Sequence, residues 1–114
     1  MANTFKCVTK AGVTTLDDIY TVAGSTTAIV IGLVLGNTTS SQVTATVTLS
    51  SDTAARAGNN DEANQDVEIV TNAPIPANSS LSVLDGKIVM EATDILKVSA
   101  SGATDVIVSI LEQT

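Results

Sequence analysis

Two adjacent aspartates, Asp17 and Asp18, and an oxygen-rich run, Asn59-Asn60-Asp61-Glu62-Ala63-Asn64-Gln65-Asp66, are the places where this chain could do chemistry. Paired carboxylates serve acid–base catalysis only when they converge on one substrate atom. Neighbours on an extended strand point to opposite faces, so Asp17 and Asp18 read as a solvated strand end. Calcium takes about six to eight oxygen ligands from a flexible loop. The run at 59–66 has the oxygens but lacks the glycine and the ligand spacing of the helix–loop–helix calcium loop, and it reads as solvated loop. Histidine is absent, which removes Ser-His and Cys-His nucleophile pairs and the commonest zinc ligand. Cys7 is the single cysteine. It excludes an intrachain disulfide and a Cys-based metal site, and it reads as a small buried hydrophobe. Asn37-Thr38-Thr39 and Asn78-Ser79-Ser80 match the N-glycosylation pattern, yet without a secretory leader they read as turn residues. No catalytic, metal or cofactor residue is assigned, and no enzymatic activity is expected.

The charge balance narrows the partners. Twelve acids face five lysines and arginines, a net charge of −7, so phosphate backbones are repelled and nucleic acid is not an expected partner. The only aromatics are Phe5 and Tyr20, which leaves almost nothing to stack on bases or sugars. The N-terminus MANTFKCVTK lacks the apolar core of a signal peptide. The longest apolar run, AIVIGLVLG at 28–36, is too short for a bilayer-spanning helix, so no membrane association is expected.

The elements that must position these residues are strands. Leu, Ile, Val and Phe make up 32 of the 114 residues, enough to collapse into one core. Val and Ile stand beside 17 threonines, and β-branched side chains favour a pleated surface. Val43, Ala45, Val47 and Leu49 alternate with Thr44, Thr46 and Thr48, the pattern of a strand with one buried and one wet face. Thr27 to Leu35 is apolar on both faces, as in a central strand covered twice. With a turn at 36–41, these two segments predict a hairpin. Residues 51–65 read as a long exposed loop. Asp66 to Thr71 reads as a strand, and Ala73-Pro74-Ile75-Pro76-Ala77-Asn78 as a connection or a blunted edge. Leu81–Leu84 and Lys87–Met90 around Asp85-Gly86 predict a second hairpin, and Asp94–Ala100 with Asp105–Glu112 a third. Thr4–Thr9 and Asp17–Val22, with Ala11-Gly12 between them, are weaker strands. Eight to nine short strands and no helix predict an all-β, single-domain β-sandwich over 1–114, jelly-roll or immunoglobulin-like.

Several stretches carry a resemblance. Met1-Ala2-Asn3-Thr4-Phe5-Lys6, Ile19-Tyr20-Thr21-Val22, Asn72-Ala73-Pro74-Ile75-Pro76-Ala77, Leu84-Asp85-Gly86-Lys87-Ile88-Val89-Met90, Asp94-Ile95-Leu96-Lys97-Val98 and Val106 to Glu112 resemble small virion structural proteins of marine and cyanobacterial tailed phages. The resemblance implies a β-rich accessory part of the phage particle, located in the virion and made in the host cytoplasm. A capsid decoration or cement protein on the head is the leading expectation. A neck, tail or baseplate protein is the alternative, and a host-surface glycan-binding module is a third. Chains of this kind reach the Pro-Ile-Pro segment soon after the alternating strand. Here Ser51 to Gln65 looks inserted, which implies a contact peculiar to this chain.

The expected partners are the major capsid protein or other virion proteins, together with further copies of the chain. A trimer is expected, because contacts of about 800 Å² per partner hold when several copies bind at once. Exposed apolar strand faces and the terminal segments 1–8 and 105–114 are the expected interfaces. The candidate contact residues are Phe5, Arg56, Asn59, Asn60, Asp61, Ile107 and Ile110.

Overall fold

In the computed structural model, which describes residues 2–51, 65–84 and 86–114, the antiparallel pairings nest inside one another. Among the described residues, nine strands run in chain order: β1 (Asn3–Val13), β2 (Asp17–Thr21), β3 (Thr27–Asn37), β4 (Val43–Ser51), β5 (Gln65–Ile75), β6 (Ser80–Ser82), β7 (Ile88–Met90), β8 (Ile95–Ala100) and β9 (Thr104–Gln113). β1 pairs β9, β2 pairs β8, β3 pairs β6 and β7 in turn, and β4 pairs β5. The chain is thus one long antiparallel ribbon, and Ser51 and Gln65 are paired at its tip. Rolling the ribbon adds β3 to β9 and β4 to β8. Two sheets result, β1-β9-β3-β6 with β7 also on β3, and β2-β8-β4-β5. An all-β sandwich was the expectation, and of its two topologies this order is the jelly-roll.

None of the three predicted hairpins forms. β3 and β4 lie in different sheets, as do β8 and β9, while β6 and β7 both pair with β3 and not with each other. Turn residues specify that the chain reverses, not which layer the next strand joins. In each of the two cross-sheet cases, both strands have an apolar face, and both contribute it to the one buried core. The sequential pair that does form a ladder is β4–β5, across the connection read as a loop. Two expected breaks lie inside strands: Ala11-Gly12 sits at an irregularity of β1, where Gly12 has φ +67°, and Pro74 sits in β5, at a sheet edge where its missing N–H costs no ladder bond.

The core is aliphatic. Val43, Ala45 and Val47 of β4 and Leu96 and Val98 of β8 face Val106, Val108 and Ile110 of β9, with Met90 and Ile75 closing the ends, and all are buried. On β3 the buried set steps from Ala28 and Val30 to Leu33 and Leu35, because a bulge between Val30 and Gly32 shifts the alternation by one. Each Val, Leu, Ile or Met in this set contributes about 1.5–3 kcal/mol by leaving water.

One buried polar side chain locks the ends of three strands. Asn37, at 3% exposure, donates from Nδ2 to the carbonyls of Ser41, Ile75 and Pro76, and its Oδ1 accepts from the backbone N–H and the hydroxyl of Thr39. The turn reading of Asn37-Thr38-Thr39 therefore has a physical basis, since the amide is consumed inside the fold. Asn37→Ala is expected to destabilise the protein by about 1–3 kcal/mol in urea unfolding, the cost of stranding buried carbonyls. Asn37→Asp is expected to cost more than Asn37→Ala, because it sets a carboxylate against those carbonyls.

Candidate functional site

The two outer faces of the sandwich differ in kind. Directly opposed residues of antiparallel strands share a face, so the pairing registers assign each side chain. On the β2-β8-β4-β5 sheet, one row runs Asp18, Lys97, Thr48, Glu68, and the next joins Ser99 to Thr46. Opposite charges are neighbours there, and Lys97 Nζ lies 3.9 Å from Asp18 Oδ1. This face is polar, as the Thr44, Thr46 and Thr48 alternation predicts.

On the other sheet the corresponding row is Phe5, Leu111, Ile29, Val89 across four strands. A second row runs Thr9, Ile107, Val34, Ser82, and between the two lies Cys7, Ser109, Gly32. Phe5 is 75% exposed and Val89 60%, and Ile31, Val34 and Ile107 are exposed as well. Seven apolar side chains thus surround a small-residue middle. The single ionisable carboxylate or ammonium at the outward positions of these strands is Asp105, at one end, where its Oδ1 accepts from the N–H of Gly12 at 2.9 Å. On a chain of net charge −7, an exposed apolar sheet face of this breadth stands out.

The structure sorts the residues expected to make contacts. Phe5 and Ile107 lie on the outer apolar face. Ile110 does not: it is fully buried. The two isoleucines are three positions apart on one strand, so they take opposite faces, and Ile110 packs in the core. Arg56, Asn59, Asn60 and Asp61 lie outside the described residues. Cys7, expected to be buried, is exposed on β1. Leu111 falls in the expected segment 105–114, while sequence reasoning named none of Ile29, Ile31, Val34 and Val89. The signal for Ile29, Ile31 and Val34 was present in the two apolar faces of 27–35, read as a strand covered twice. Among the described residues only the inner face is covered.

No protein-family model matches the chain, and no curated protein matches it. Among solved structures it is similar to one described as "Bacillus endospore appendages form a novel family of disulfide-linked pili", with 16% sequence identity and a TM-score of 0.49, over 99% of this chain and 87% of that one. A likeness at that level says nothing of what this chain binds. Among the described residues, no three His, Cys, Asp or Glu side chains gather as a metal site would require.

The first strand of the apolar face is tied down by a cross-layer triad. The Tyr20 hydroxyl of β2 donates to Glu112 Oε2 of β9, and Lys6 Nζ of β1 lies 3.0 Å from Glu112 Oε1. The triad joins the two sheets and anchors an edge strand whose residues are otherwise nearly all exposed. Glu112 is held below the usual carboxylate range, first by the Tyr20 hydrogen bond and then by Lys6. Tyr20 is pushed above the ordinary phenol value, first by burial and then by its bond to the Glu112 carboxylate. A depressed carboxylate stabilises the fold above its unfolded value of about 4.3, and that contribution disappears as pH falls through the lower folded value. Urea midpoints of the parent and Glu112→Gln are therefore expected to differ most at neutral pH and to converge as pH falls through the depressed Glu112 value.

Proposed function

We propose that this chain is a non-enzymatic structural part of a larger protein assembly, held in place through the outer face of the β1-β9-β3-β7 layer. The observation that carries this reading is β3. It is apolar on both faces, as strands with cover on both sides are, yet its outer residues Ile29, Ile31 and Val34 have no second layer over them in the described chain. A partner surface laid on the sheet supplies that layer. Burial of aliphatic area at about 25 cal/mol per Å² supplies the affinity. The acidity elsewhere keeps the free protein from sticking through its other surfaces.

The finer assignment follows the sequence resemblance. The assembly is a tailed-phage particle, and the chain is a decoration or cement protein on the outside of its head, gripping the major capsid protein at many equivalent sites. Multivalency makes weak single contacts sufficient there, since the second and third attachments are effectively intramolecular. Gold-labelled antibody on intact particles tests the location: a coat over the head supports this assignment, and label confined to the neck or tail moves the chain to that part of the virion.

The contact face has its own test. Val89→Asp and Ile107→Asp place carboxylates at exposed positions, so each is expected to change unfolding free energy by no more than about 0.5–1 kcal/mol. Together they are expected to weaken binding to particles stripped of the protein by at least ~10-fold, about 1.4 kcal/mol. Asp18→Ala, on the polar sheet, is expected to leave binding unchanged. Equal binding by the double variant and the parent, in co-sedimentation, would place the contact elsewhere.

A further inference from the structure

We propose that two copies of this chain join edge to edge through β1, continuing the apolar sheet across a two-fold axis that passes at Cys7. The occupant of the free β1 edge is a second copy of the same strand. This goes beyond the contact with the assembly, because it requires no other protein.

The edges of the sandwich are unequal. β6 and β7 have three residues each, β2 has five and an irregularity, and β5 has two irregularities, Pro74 and the acids Asp66 and Glu68. Shortness, bulges, proline and charge are the devices that keep an edge from pairing. β1 is different. It follows β9 without interruption from Asn3 to Lys10, and the ladder extends outward through the reciprocal bonds of Ala2 and Thr114 at 3.1 and 3.0 Å. Alternate residues over this length turn N–H and C=O to the open side.

Charge and symmetry then select the partner and the register. β1 carries Lys6 and Lys10 and no acid, so it is where two chains of net charge −7 approach with least repulsion. A two-fold axis normal to the sheet keeps each face on its own side, so odd residues must oppose odd ones and even oppose even. An axis at Lys6 sets lysine against lysine. An axis at Val8 sets Lys6 against Lys10. The axis at Cys7 sets Lys6 against Val8, Thr4 against Lys10 and Asn3 against Ala11, and it uses the whole straight part of the strand. Lys6 is meanwhile neutralised by Glu112 of its own chain.

The same register makes the surfaces fit. It places Phe5 of each copy opposite Thr9 of the other. Beside Thr9 lies a shallow depression of about 250 Å³ lined by Thr9, Lys10, Ala11, Asp105, Val106 and Ile107. The 75%-exposed Phe5 ring fills this hollow in the second copy, and the reciprocal ring fills its mate. The row Phe5, Leu111, Ile29, Val89 of one copy then meets the row Thr9, Ile107, Val34 of the other, which doubles the continuous apolar face. Two-fold pairing thereby replaces the trimer expected from multivalency alone.

Sedimentation equilibrium of the purified, reduced chain tests the pairing. A dimer of twice the 11.6 kDa chain mass is expected, with Kd on the order of 1–100 μM. Phe5→Asp, and the milder Phe5→Ser, should keep the parent circular dichroism and weaken the dimer by at least ~10-fold. The register is read by cross-linking. Opposed residues of paired strands lie within disulfide range, so the added oxidant diamide should convert the parent to a covalent dimer through Cys7. Cys7→Ser/Thr9→Cys should not cross-link to itself, but should do so when mixed with Cys7→Ser/Phe5→Cys. A monomer at concentrations up to about 1 mM, a trimer, or a dimer indifferent to Phe5→Asp in which Cys7 does not cross-link would each overturn the proposal. None of these results depends on whether the apolar face binds a particle.

Discussion

β3 is apolar on both faces, and a strand of that kind must be covered twice or remain partly in water. Everything in this fold is arranged around it. β9 lies along its whole length on one side, while β6 and β7 share the other in two short windows. β4 and β8 close over its inner face through Val43, Ala45, Val47, Leu96 and Val98. The outer face has no such layer in the described chain. The core and the exposed apolar face are therefore two sides of one sheet, and the same aliphatic composition supplies both.

The rolled ribbon explains how so aliphatic a chain holds together without aromatic ballast. Nested pairing gives nearly every strand a neighbour distant in sequence, so packing across the layers and pairing within them reinforce one another. Where pairing ends, polar side chains take over. Asn37 satisfies three carbonyls where β3, β4 and β5 meet their connections, and the Tyr20–Glu112–Lys6 triad fastens β1 to the body. The second of these matters most to the surface, because β1 is exposed on both sides and would otherwise be held only by its ladder to β9.

Charge is distributed to match. The polar sheet interleaves Asp18, Lys97 and Glu68 with threonines, as a wet face does. The outer face of the apolar sheet carries one carboxylate, Asp105, at its margin, and the β1 edge carries only lysines among ionised groups. A strongly acidic protein that confines its apolar area to one face avoids indiscriminate association while keeping one surface for a specific one.

Much of this was legible in the order of residues. From Val43 to Val47 the alternation has period two and its buried and more exposed sides fall as that period requires, but it breaks at Thr48, which is buried beside a register shift against β5, and at Leu49, which is only half-buried. The threonine and valine bias excluded helices, and the exposure of Phe5 and Ile107 agreed with their positions near the ends of the chain. Period two also separates Ile107 from Ile110, so the burial of Ile110 was readable and was missed by treating 105–114 as one patch. The layer each strand joins was not readable. A turn such as 36–41 reverses the chain whether the next strand lies beside the last or beneath it, and only the packing of the inner faces decides between them. For the same reason the doubly apolar 27–35 looked like the middle of a covered sheet. Its composition states that both faces are apolar, and only the three-dimensional arrangement shows that one of them is left without a second layer among the described residues.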